Sequence, residues 1–146
     1  MKARIIDGFS TSEAALFAKV PYTTVDYWAR TKLVVPSIAV ARGTGSDRLY
    51  SFKDLIALRA IKELRENGTS TQALRKVVRY LRSHGWPDPL ADCRLIKIGK
   101  EVCFVRGFRE LEAVLRQPGQ GLFAFMLDFG RIEQEISEKV DEHRAA

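Results

Sequence analysis

The sequence predicts a mainly α chain with small β-hairpins: short helices around one hairpin in front, and a small α+β region behind. Three observations carry that prediction. Two segments, Ser10-Thr11-Ser12-Glu13 and Ser51-Phe52-Lys53-Asp54, have the spacing with which a serine hydroxyl and a carboxylate three residues later close a helix N-terminus. Leu55, Leu58, Ile61 and Leu64 then recur at helical spacing. From Asp92 onward the apolar pattern changes period and reads as paired strands.

In chain order, Ala14 to Phe17 continue from the first cap as a short apolar helix, and Lys19-Val20-Pro21 makes a turn. Tyr22-Thr23-Thr24 opens a second helix reaching about Arg30, with Val25 and Trp28 on its inner face at i, i+3. Two helices this short, joined this closely, have the proportions of a helix-turn-helix. Leu33 to Ala41 and Arg48-Leu49-Tyr50 read as two extended arms around the polar, glycine-bearing tip Arg42-Gly43-Thr44-Gly45-Ser46-Asp47. A hairpin in that position is a wing.

The third helix runs from the Ser51 cap to Asn67-Gly68, which supplies a C-cap. Thr69, Ser70 and Thr71 can cap a fourth helix, whose buried stripe is Leu74, Val77, Val78 and Leu81. His84-Gly85 stops it, and Trp86-Pro87-Asp88-Pro89 reads as a rigid linker. The expected division is therefore a front domain over residues 1–84 and a C-terminal region over 85–146.

In that region Cys93–Ile98 and Glu101–Arg106 form a hairpin, and a short helix is expected from Phe108 to Arg116. A two-residue turn at Gly99-Lys100 sets Ile98 against Glu101, Ile96 against Cys103 and Cys93 against Arg106. The two thiols then lie on opposite faces, too far apart for a disulfide. The apolar run from Leu122 to Phe129 is either a second mini-core or a partner surface, with Leu122, Phe123, Phe125, Met126 and Phe129 as the candidate contacts. A charged helical tail follows to His143.

Composition narrows the function. Hydrophobic content of 46% and charged content of 29% are those of a globular chain. The opening residues contain no apolar signal core, and no window approaches the roughly 18 apolar residues that span a bilayer. A cytoplasmic protein without a membrane partner is expected. Its two histidines and two cysteines form no ligand spacing, and no nucleophile–base pair, carboxylate pair or phosphate loop emerges. Neither a metal, nor a cofactor, nor an enzymatic activity is therefore expected. Residues 1–82 hold 15 basic and 7 acidic side chains, a balance of +8; the rest hold 9 and 11, a balance of −2. That asymmetry suits a polyanion bound by the front, or equally an ordinary solvated basic face.

The order of these elements resembles the MerR-type winged-helix DNA-binding domain from about Phe9 to Arg82. Phe9 to Ala15 looks like its first helix. Thr23-Thr24-Val25-Asp26-Tyr27-Trp28 sits where the family has its Thr-Leu-Arg-Tyr-Tyr recognition stretch, and Leu33-Val34-Val35-Pro36 matches its Gly-Leu-Leu-x-Pro exit. Arg48 to Leu55 and Asn67 to Ser70 match the wing's return and the joint between the third and fourth helices.

The resemblance implies a sequence-specific double-stranded DNA-binding regulator, a homodimeric repressor. Its implied contacts are Thr23, Thr24, Tyr27, Arg30, Arg42, Arg48, Tyr50 and Lys53, with Arg59 as a further phosphate contact. Tyr50 has a second reading, packed under the wing. Arg65, Arg75 and Arg79 read as a solvated face.

Asp26 stands where the family has an arginine. It can accept from a cytosine amino group, hold a neighbouring arginine, or mark a different docking angle, and the second is the expectation adopted. Trp28 resembles the smaller excisionase relatives, which keep a core tryptophan there; an architectural DNA-bending protein is the alternative function. Trp86 to Pro89 interrupts the path of the family's long dimerisation helix.

The C-terminal part, from Asp88-Pro89-Leu90-Ala91 through the hairpin ending in Phe104-Val105-Arg106 to Gly119–Phe125 before Arg131-Ile132-Glu133, is similar to MerR-like antitoxins paired with PIN-domain ribonuclease toxins. That similarity implies a toxin partner and repression of the protein's own operon.

Overall fold

In the computed structural model, residues 8–38, 48–83, 93–98, 101–106, 109 and 123–145 are described. Helix α1 is Thr11–Ala18. The Ser10 hydroxyl accepts from the Glu13 amide at 3.1 Å, and the Glu13 carboxylate accepts from the Ser10 amide at 3.0 Å. Both orphan donors of the first turn are thereby satisfied. Lys19 ends α1 in the left-handed region at φ 60°. Helix α2, Tyr22–Arg30, follows after Val20 and Pro21, and Lys32 beyond it is again left-handed, at φ 65°.

Helix α3 is Phe52–Glu66, and its Ser51 and Asp54 form the expected capping box. Helix α4 is Thr71–Ser83, and the Ser70 hydroxyl accepts from the Ala73 amide at 3.2 Å. The stripe expected on α3 is buried, with Ala57 and Ala60 beside it as their positions near that stripe imply, but so is Ile56. The cause is tertiary: α3 is the central helix, with α1 and α4 against it, and a C-terminal helix fills a further side.

Strands β1 (Cys93–Ile98) and β2 (Glu101–Arg106) pair antiparallel in the expected register, including Cys93 with Arg106 and Ile96 with Cys103. The Cys103 thiol is free. A third strand, β3 (Phe123–Asp128), pairs antiparallel with the other edge of β1, giving the order β2-β1-β3. Lys97 Nζ donates to the Asn67 carbonyl at 2.9 Å, which ties β1 to the joint between α3 and α4.

The apolar run is thus a strand that turns directly into helix α5, Phe129–Ala145. Strand alternation divides it: Leu127 is fully buried and Met126 is exposed. Leu122, the linker at 86–89 and the helix expected at 108–116, Arg109 apart, lie outside the described residues.

Phe129, Ile132, Ile136 and Val140 fall on one face of α5, all buried. Each such side chain stabilises the fold by about 1.5–3 kcal/mol. They belong to one continuous core with Phe17, Leu55, Leu58 and Leu74. The Tyr80 and Phe104 rings stack at 3.7 Å between centroids, and Phe129 lies 6.1 Å beyond Phe104. Phe129 is therefore a core residue and not a partner contact, a correction that follows from its full burial.

A buried cation reinforces the junction. Arg59 donates from Nε to the Ala18 carbonyl at 3.1 Å and from Nη1 to Glu135 at 2.9 Å. Arg131 of α5 bridges Glu63 at 3.1 Å and Glu135 at 3.3 Å. Arg59 satisfies a carbonyl at the end of α1 and anchors α5, so its burial removes it from phosphate contact.

Candidate nucleic-acid interface

Helix α2 buries Val25 and Trp28 and leaves Tyr22, Thr23, Tyr27 and Arg30 exposed, with Thr24 and Asp26 half-buried. Thr23, Tyr27 and Arg30, spaced i, i+4, i+7, form one outward stripe along the helix. Trp28, 5% exposed, is the packing residue that the sequence suggested.

Asp26 joins this helix to the arm returning from the wing. Its Oδ1 accepts from Arg48 Nη1 at 2.6 Å, and its Oδ2 accepts from Arg30 Nε at 3.0 Å. Hydrogen bonds from Arg48 and then Arg30 hold the Asp26 carboxyl below its usual range. The same bond raises Arg48 above the ordinary arginine value. Of the three readings for Asp26, holding neighbouring arginines is the one seen.

The base of the wing is pinned independently. Asp54 Oδ2 accepts from the Ser51 amide at 2.9 Å, the Ser37 amide at 2.8 Å and the Ser37 hydroxyl at 2.7 Å. The Ile38 amide donates to the Leu49 carbonyl at 3.1 Å, bringing the two arms together. Phe9 and Tyr50 exchange backbone bonds at 2.8 and 2.7 Å, which fastens the returning arm to the start of α1. The capping role of Asp54 was visible in its spacing from Ser51. Its hold on Ser37 was not, because the two residues lie 17 positions apart and meet only in the folded chain.

Tyr50 needs correction. It is fully buried, its hydroxyl has no hydrogen-bond partner of good geometry, and burial raises its pKa against the nearby Arg48 charge. Such a hydroxyl is not presented to a phosphate; the residue is part of the core that holds Phe9 and Phe17. Lys53 is half-buried at the start of α3, and Arg42 lies outside the described residues. Met126 remains exposed on β3, while Phe123 and Phe125 occupy positions opposite Ile98 and Lys97. Arg65, Arg75 and Arg79 are exposed, and Arg75 also reaches the Lys32 carbonyl at 3.4 Å. No group of metal-ligating side chains occurs among the described residues, and no helix among them is long and apolar enough to cross a membrane.

The model of the MerR HTH regulatory protein family matches residues 9–81, half of the chain. The chain belongs to that family. It is similar to proteins described as uncharacterized HTH-type transcriptional regulators of Mycobacterium tuberculosis strain H37Rv and of Mycobacterium bovis. Identity to each is 43% over 116 residues, which cover 80% of this chain. The chain spans about half (51%) of the length of these relatives. The matched segment contains α1 to α3, both arms of the wing and nearly all of α4, so the MerR assignment and the α2–wing face coincide.

Proposed function

We propose that this MerR-family regulator binds double-stranded DNA in a sequence-specific manner and represses transcription as a homodimer. The α2 stripe enters the major groove, and the wing base sits against the backbone. The observation that carries this reading is the Asp26 bridge, which ties Arg30 of the exposed α2 stripe to Arg48 of the returning arm and neutralises the acid between them. Thr23, Thr24, Tyr27, Arg30, Arg48 and Lys53 are its proposed contacts, with Arg42 at the wing tip. The +8 balance of residues 1–82 supplies the field.

In functional terms, residues 1–84 are the DNA-binding part and residues 85–146 the partner-binding part, although one core joins them. Leu122, Phe123, Phe125 and Met126 remain the proposed partner contacts, of which Met126 is exposed among the described side chains. A PIN-domain toxin as its occupant rests on the C-terminal resemblance alone.

The test is duplex binding across salt, with DNA from the promoter region of the protein's own gene. Phosphate contacts released as counterions predict a fall of about a hundredfold or more between about 50 and about 200 mM salt. A flat response would exclude the proposal. Strong bending without sequence preference would instead favour the excisionase-like alternative.

A further inference from the structure

The geometry points to Arg30 as a guanine-reading residue whose guanidinium is held in position by Asp26, with Arg48 fixing Asp26 in turn. This inference rests on the proposal that α2 faces DNA, and it adds which base is read and by which atoms.

Arg30 is the last residue of α2, and its side chain is 61% exposed. An unrestrained arginine at such a place would sample many rotamers, but two contacts limit this one. Its Nε donates to Asp26 Oδ2 at 3.0 Å, one turn back, and its Cζ lies 5.9 Å from the centroid of the Tyr27 ring. The inner edge of the guanidinium is thereby used up. The two terminal nitrogens have no partner among the described residues. That outer edge is a planar fork of two donors. In the major groove it matches the paired acceptors O6 and N7 of guanine, and no other base offers two acceptors side by side there.

Asp26 is suited to hold the fork because it is itself held. Its other oxygen accepts from Arg48 at 2.6 Å, so the carboxylate is clamped from the wing side. With both oxygens engaged by arginines, Asp26 is a positioning residue and not a reader of cytosine. An arginine positioned before binding loses less side-chain freedom on contact. The fork also lies on the stripe shared with Thr23 and Tyr27, the part of α2 that can run along a groove.

The experiment is selection of preferred sites from a randomised duplex pool by the full chain, followed by titration of single-base variants. The wild-type protein is expected to select a G·C pair at one position of each half-site and to reject the other pairs by about ten- to a hundredfold. Arg30→Ala and Arg30→Lys should both abolish that preference while leaving preferences elsewhere intact. Asp26→Ala should weaken it, with thermal melting confirming that each variant is folded. On the unaltered protein, 7-deazaguanine at the selected position removes the N7 acceptor and should cost most of the preference.

If Arg30→Lys restores full binding and Arg30→Ala lowers affinity equally for all sequences, Arg30 is a phosphate contact and the inference is wrong. Unchanged preference in Asp26→Ala would refute the positioning role. If the wild-type protein binds no duplex at all, the proposed function fails first.

Discussion

Arg48 Nη1 and Asp26 Oδ1 lie 2.6 Å apart and join the wing to the recognition helix across 22 positions of sequence. An acid in a DNA-facing helix would ordinarily repel phosphates, and here two arginines neutralise it. Removing Arg48 both deletes a cation and uncovers that carboxylate. Arg48→Ala should therefore lower duplex affinity more than the double variant Arg48→Ala/Asp26→Ala does. Equilibrium titration of the four proteins in a double-mutant cycle reads the difference. Purely additive losses would show that the bridge has no role in binding. Because the bridge lowers the Asp26 pKa, its stabilisation is present above the ordinary value of 3.8 and is lost as pH falls further through the folded value. The Asp26 contribution should thus be flat from about pH 5 to pH 8.

Tyr50→Phe removes a buried hydroxyl that has no well-aligned partner. Melting temperature should stay level or rise, since no hydrogen bond is lost and an unpaired polar group leaves the interior. Duplex affinity should not change, and a marked loss would return Tyr50 to the interface.

Arg59→Met should destabilise the fold by about 1–3 kcal/mol in chemical denaturation, because the Ala18 carbonyl loses its charged donor. Glu135→Gln should cost less than about 1 kcal/mol, as its side chain is 43% exposed. In both variants the affinity of the folded protein for duplex should be unchanged. A selective loss of affinity in Arg59→Met would place Arg59 at the phosphates.

Lys32 occupies a left-handed position, where a side chain crowds the backbone and glycine does not. Lys32→Gly is expected to be neutral or to stabilise by up to about 1 kcal/mol, read from the same denaturation curves. Lys32→Val, with its branched β-carbon, should destabilise.

What could be read from sequence was local. The two serine–carboxylate caps located α1 and α3, the Val25–Trp28 pair oriented α2, and the Gly99-Lys100 turn set the register of β1 and β2. The Asp26 pairing followed from charge and position together. What escaped depends on contacts distant in the chain. Phe123–Asp128 is an apolar run of a length that suits strand or helix, and only its pairing with β1 decides. The burial of Arg59 depends on α5, whose Glu135 lies 76 positions away and leaves no mark near it. For Tyr50 the sequence offered contact and burial alike, and only the fold decides for burial. Arginine clusters looked alike in sequence, whereas the fold separates Arg59, an internal anchor, from the exposed Arg30 and from Arg48, which is half-buried against Asp26.

The claim that α2 and the wing base form the DNA-reading face is tested most directly by amide NMR of the labelled full chain titrated with a selected duplex. Shift changes should concentrate at Thr23, Thr24, Tyr27, Arg30, Ile38 and Arg48, and leave Glu138 and Asp141 on α5 unmoved. Changes centred on α5 and the sheet, with α2 silent, would contradict the account.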